Sequence, residues 1–168
     1  MTHPFTLNPT KEVYMDFLRS RSIPNPLAVT LTLKQNLTVM TNRGSYTIPL
    51  NRDNLERTVR HFLNKLNRST FGKSSQRYGK RLSVVPVIEY GPDTRWHVHM
   101  MLEKPDRMNL ERFQETIKHC WTKTKFGYEH MVIEPAYDQD GWLGYMLKNR
   151  TKPDGLHDSI DWNNTYLP

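Results

Sequence analysis

Cysteine occurs once in the 168 residues, as Cys120. That excludes an internal disulfide and a thiolate zinc cage, so a bound metal would have to rest on imidazoles and carboxylates. Long apolar runs are also missing. No stretch approaches the roughly 18 consecutive apolar residues of a membrane span, and the first 25 residues lack the basic start and apolar segment of a secretory signal. The expectation is a soluble, intracellular chain that engages no membrane. Repeats and low-complexity tracts are absent. What is present, 36% hydrophobic and 11% aromatic residues, suffices for one buried core without covalent staples and argues against disorder. The length suits a single domain over residues 1–168, read as an N-terminal extension (1–26), a core (27–150) and a tail (151–168).

Acidic residues are the scarcer charge: 17 Asp+Glu stand against 24 Lys+Arg, a net charge of +7. The excess is local. Residues 57–81 carry Arg57, Arg60, Lys65, Arg68, Lys73, Arg77, Lys80 and Arg81 and no acid, which leaves the remainder of the chain near neutrality. Phe71 and Tyr78 interleave with these cations in FGKSSQRYGKR, read as a Gly/Ser-containing loop after a helix. Cations mixed with aromatic rings suit a polyanion that also offers flat bases, namely nucleic acid. A solvated basic face has the same composition. The candidate contacts are Arg57, Arg60, Arg68, Lys73, Arg77, Tyr78, Lys80 and Arg81.

Residues 27–33, LAVTLTL, alternate in polarity and read as a strand. Before them, Lys11 to Arg21 forms an expected short helix packing Val13, Phe17 and Leu18. Leu37 to Ile48 reads as a hairpin around Asn42-Arg43-Gly44. A long amphipathic helix starts at the cap Asn51, with Leu50 and Leu55 as a hydrophobic staple and Leu55, Val59, Phe62, Leu63 and Leu66 on one face. LSVVPVIEY (82–90) and WHVHMMLE (96–103) form an antiparallel pair in which Pro86 marks an edge strand. A second helix, capped by Asn109, buries Leu110, Phe113, Ile117, Cys120 and Trp121; a strand from Tyr128 to Pro135 and a helix from about Asp138 to Asn149 follow. The order β-α-β-β-α-β is the split βαβ plan of ferredoxin-like α+β domains, with an antiparallel sheet carrying helices on one face and an open second face.

Chemistry concentrates on two elements. His97 and His99 lie two residues apart on a strand and so point the same way, while Val98, Met100 and Leu102 supply the buried side. Two such imidazoles can share a divalent ion, and Glu89 on the neighbouring strand offers a carboxylate, provided that the connecting loop is odd in length or bulged. A carboxylate among Val85, Val87 and Ile88 needs a cation. His61 and His119 fall on outward helix faces, His130 alternates with apolar residues and can face the same cleft, and His3 and His157 lie in expected loops. In the last helix Tyr145 and Lys148 share a face. A phenol has a pKa of ~10 and attacks poorly at neutral pH unless a cation stabilises the phenolate or the phosphate.

The run VIEYGPDTRWHVHMMLEKP (87–105) resembles the second motif of HUH endonucleases, in which two histidines flank a hydrophobic residue. Tyr145-Met146-Leu147-Lys148 is similar to the Y-x-x-K motif of rolling-circle replication initiators, the Rep group, and LAVTLTLK (27–34) to their looser first motif. The three occur in the family's order. The resemblance implies a metal-dependent nickase and strand joiner acting on single-stranded DNA at a replication origin, in a hairpin or not. Glu89, His97 and His99 would hold Mn²⁺ or Mg²⁺, Tyr145 would form a 5′-phosphotyrosine, and Lys148 would neutralise developing charge. A host helicase and polymerase would complete replication, in the cytoplasm of a bacterial host or the nucleus of a eukaryotic one. Positions 141 and 149 are Gly and Asn, so a second helical tyrosine is missing, and no third histidine follows His99. The first departs from two-tyrosine initiators and the second from relaxases, so a single-tyrosine initiator is favoured; transposase- or relaxase-type strand transfer on the same fold and a non-catalytic single-strand binder are the alternatives. No phosphate-cradling helicase loop is present.

Overall fold

The computed structural model describes residues 10–148 and 156–168; His3 and Asn149 lie outside them. The chain runs α1 (Thr10–Ser20), β1 (Pro26–Leu33), β2 (Asn36–Thr41), β3 (Gly44–Pro49), α2 (Arg52–Phe71), α3 (Lys73–Tyr78), β4 (Val84–Gly91), β5 (Thr94–Glu103), α4 (Leu110–Thr122), β6 (Gly127–Pro135), α5 (Gln139–Met146) and α6 (Leu156–Ser159). β4, β5, β1 and β6 form one sheet in that order, with every neighbouring pair antiparallel. This is an α+β architecture on the split βαβ plan, with β2 and β3 inserted as a separate hairpin.

Period-two alternation explains the layering. Leu27, Val29, Leu31 and Leu33 of β1 and Val98, Met100 and Leu102 of β5 are buried against α2 and α4. α2 answers with Leu55, Val59, Phe62, Leu63 and Leu66, and α4 with Phe113, Ile117, Cys120 and Trp121. Phe62 meets Trp121 edge-on, 5.3 Å between ring centroids, a geometry that adds about 1 kcal/mol beyond area burial. Asn51 and Asn109 cap these helices by accepting from the N–H of Asn54 and Arg112, which satisfies donors a helix start otherwise leaves orphaned.

Several expectations need correction. The segment after α2 is not a loop: Gly72 (φ +57°) closes α2 by donating its N–H to the Arg68 carbonyl and opens α3, which ends at the left-handed Gly79 (φ +64°). α1 buries Met15 and Leu18, not Val13, which is exposed; Phe17 stays on the rim against Trp162. α5 stops at Met146, because an eight-residue helix holding Gly141 and Gly144 has little intrinsic stability. His157 falls within the short α6 and not in a loop. The second sheet face is not open throughout. Met15, Leu18, Leu143, Met146, Leu147 and Ile160 bury Val85, Val87 and Met101 there in a second core.

The tail belongs to that packing. Tyr166 bridges Val84, Ile160 bridges Val87, and the N–H of Asp161 donates to the Pro86 carbonyl. Pro86 thus sits on the edge strand with its missing N–H on the outer side, where no sheet partner is deprived. Trp162 packs on the second core and Tyr166 on the first.

Candidate active site

Register decides whether the carboxylate meets the histidines. Glu89 pairs with His97 and Val87 with His99, and the register shifts between Glu89 and Gly91. This is the bulge that the facing of Glu89 required. Directly opposed residues project on the same side, so Glu89, His97 and His99 share the sheet face on which α5 packs. On the other flank of β5, Thr30 opposes His99 and Thr32 opposes His97.

Glu89 and His99 are almost wholly enclosed, 5% and 3% exposed. His99 Nε2 lies 2.6 Å from Glu89 Oε2, and Lys148 Nζ donates to Glu89 Oε1 at 2.9 Å. Burial pushes the Glu89 carboxyl up, but hydrogen bonds from Lys148 and His99 outweigh it and lower the pKa from 4.5 to about 2. Thr30 Oγ1 stands 3.0 Å from His99 Nδ1. In a neutral ring whose Nε2–H serves Glu89, the threonine hydroxyl donates to Nδ1; in the opposite tautomer it accepts. Thr30 therefore orients the ring in either state. Sequence reasoning did not single it out, although its alternation with Val29 and Leu31 already placed it on this face.

α5 carries the phenol to the same place. Asp138 caps it by accepting from Gly141 N at 2.8 Å, a contact for which any Cβ at position 141 would meet the Asp138 carboxyl. Arg19 of α1 pairs with Asp140, and Trp142 Nε1 donates to the Met100 carbonyl at 3.0 Å. Leu143 and Met146 are buried below, and Tyr145 stands on the outer side, 45% exposed. Its ring meets His99 edge-on at 5.4 Å and stacks on Trp142 at 5.3 Å; Lys148 Nζ lies 4.3 Å from its centroid. Trp142, expected only to pack, also touches His99 edge-on at 5.7 Å and so braces both rings.

His97 and His99 run nearly parallel with ring centroids 6.5 Å apart. A carboxylate and two imidazoles on one face make a donor set suited to a first-row divalent ion or Mg²⁺. Among the described residues no three His, Cys, Asp or Glu side chains stand together as a ready-made cage, and the two Glu89 oxygens face His99 and Lys148. The donors fit such an ion in chemistry. His130 is exposed on β6, while His61 and His119 face outward on α2 and α4.

The basic stretch is not part of this cluster. Seven of the eight expected contacts are charged, and all eight are exposed, with Tyr78 at 76%, so the stripe exists as a surface. It lies on the helical layer, behind the sheet from Tyr145. α2 ends beside the start of β4, where Asn67 Oδ1 accepts from Leu82 N; Glu89 lies five residues beyond Val84, the first residue of that strand, roughly 17 Å along it. Lys73, Arg77, Tyr78, Lys80 and Arg81 therefore occupy the opposite end of the sheet from the histidines.

Residues 26–154 match a family model described as replication-associated protein ORF2. No curated protein and no solved structure matches the chain. Among the described residues no helix is long and apolar enough to cross a membrane.

Proposed function

The chain belongs to the ORF2 family of replication-associated proteins, and from that premise we propose that it nicks and rejoins single-stranded DNA at a replication origin through Tyr145. The observation that carries this reading is the meeting of Tyr145 with His99, Glu89 and Lys148 at one spot of the sheet face. A half-exposed phenol beside a buried carboxylate–imidazole pair and an ammonium is poorly explained by packing alone.

In the proposed step the Tyr145 oxygen attacks phosphorus, an O–P bond forms to the phenol, and the bond from phosphorus to the 3′-oxygen breaks. The phenolic proton leaves to solvent or a neighbouring base, and the departing 3′-oxygen takes up a proton. A 5′-phosphotyrosine and a free 3′-hydroxyl result. The new linkage is again a phosphodiester, so a 3′-hydroxyl reverses the step and joins strands. Lys148, already over the Tyr145 ring, supplies positive charge where the phosphorane develops its negative charge. Trp142 and His99 fix the ring between them. Glu89, His97 and His99 would hold Mn²⁺ or Mg²⁺, which supplies Lewis-acid polarisation of the scissile phosphate; Thr30 would orient His99. The basic stripe on α2 and α3 would hold phosphates of the flanking DNA.

The test is incubation with single-stranded DNA from the cognate origin and Mn²⁺. A covalent protein–DNA adduct is expected, with the mass increment on the tryptic peptide containing residue 145. Tyr145→Phe abolishes the adduct and keeps DNA binding. An adduct that persists in the variant moves the nucleophile to another residue, with Tyr128 and Tyr137 next to examine.

A further inference from the structure

Beyond the last residues of β1, at the end of the sheet where His97 lies, a cleft of about 560 Å³ opens with His97 in its lining. Lys34 and Arg95 stand on its rim, Trp96 forms one wall, and Tyr128 and His130 of β6 form the other. Trp96 is held in place by a stack on Tyr90, 4.1 Å between centroids and 12° from parallel. Its backbone N–H is fixed by Gln35 Oε1 at 3.1 Å. Tyr128 is 46% exposed, so its ring is available to a ligand. None of the lining residues is acidic, in a chain with 17 carboxylates; the neighbouring Glu129 turns instead into a separate groove with Glu111 and Glu115.

Two cations, two aromatic walls and no carboxylate describe a site for an anion that carries a flat ring. His97 lines this cleft and belongs to the proposed metal-binding set, 6.5 Å from the His99 ring that meets Tyr145, and so links the cleft to the proposed site of attack. We infer that the cleft holds the nucleotide next to the scissile phosphate, with its base against Tyr128 and the adjoining phosphates against Lys34 and Arg95. The position relative to the cut rests on the nicking reading above; the binding of a single strand does not. The stripe on α3 then serves flanking DNA, and the cleft is the single-strand site.

The experiment measures anisotropy of a fluorescein-labelled thymidine oligomer of roughly a dozen nucleotides, metal-free, over a salt series. Tyr128→Ala weakens binding by about tenfold, the loss of one base stack, and Tyr128→Phe restores it. Arg95→Ala weakens binding and lowers the slope of log affinity against log salt by about 0.7. Both side chains are exposed, so thermal unfolding of the variants stays at the wild-type temperature. Unchanged affinity in both alanine variants overturns the inference. Cleft-dependent binding by a wild-type protein that forms no tyrosine adduct leaves the cleft standing and removes the nickase reading; an adduct with cleft variants that bind normally does the reverse.

Discussion

Replacing Lys148 by Met removes the ammonium that Glu89 Oε1 faces at 2.9 Å and leaves the carboxylate only His99. The size of the effect follows from the carboxyl's displacement from 4.5 to about 2. At about 1.4 kcal/mol per pKa unit that displacement corresponds to about 3 kcal/mol of native-state preference for the ionised form. Burial opposes it, and Lys148 provides the larger of the two compensating hydrogen bonds, so its loss should cost about 2 kcal/mol at neutral pH. The sign with pH is fixed. The folded carboxyl binds its proton less tightly than the unfolded one, so its contribution is complete above about pH 4.5 and is lost as the pH falls toward 2. Urea unfolding followed by tryptophan fluorescence in EDTA, at several values from about pH 7 to about pH 3, should show a wild type that weakens through this window. The single variant should start about 2 kcal/mol lower and change less. Adding Glu89→Gln should restore much of the loss, because a neutral pair leaves no stranded charge. A single variant as stable as wild type, with the same acid slope, would refute the reasoning that Lys148 sustains the buried carboxylate.

Three further outcomes are expected. His97→Ala should lower Mn²⁺ affinity in calorimetry with little change in stability, whereas His99→Ala, which takes one of its two partners from the buried Glu89 and the ring contact from Thr30, should cost about 2 kcal/mol; equal destabilisation, or undiminished Mn²⁺ binding by both, would contradict the division of roles. Gly127→Ala should destabilise by about 3 kcal/mol or prevent folding, since a Cβ there meets the Trp121 carbonyl and Thr124 Oγ1, and a wild-type melting temperature would show that the α4–β6 turn can yield. Replacing Lys73, Arg77, Lys80 and Arg81 by Gln should flatten the salt dependence of binding to origin DNA by roughly 0.7 per lost phosphate contact without removing the adduct; an unchanged slope would mark the stripe as a solvated face.

Much of this site is legible in the sequence. The i, i+2 spacing of His97 and His99 fixes their common direction, and a carboxylate inside VVPVIEY demands a cation, but whether Glu89 faces the histidines depends on the hairpin between them. Tyr145 and Lys148 are related by helical spacing, and the contact between them survives although α5 stops short of Lys148. The bulge between Glu89 and Gly91 is not legible, because register in a hairpin depends on loop geometry that GPD permits in several forms. Nor is the covering of the second sheet face: α1, α5 and the tail are short segments, and which side of the sheet they cover is decided by tertiary contacts. Charge clustering draws attention to residues 57–81, yet net charge carries no information about which side of a sheet a helix will take. The acid-free cleft at Lys34, Arg95 and Tyr128 is assembled from segments far apart in the chain and leaves no local trace.

The bridges from Ile160 and Tyr166 to β4 have a consequence for how the chain can be cut. They occupy backbone groups that an outermost strand would otherwise offer to any passing extended peptide, and Pro86 blanks one more. A version ending before residue 156 would keep Glu89, His97, His99, Tyr145 and Lys148 but present that bare margin to its own copies. Such a truncation should come out of cells as insoluble assemblies rather than as an inactive monomer.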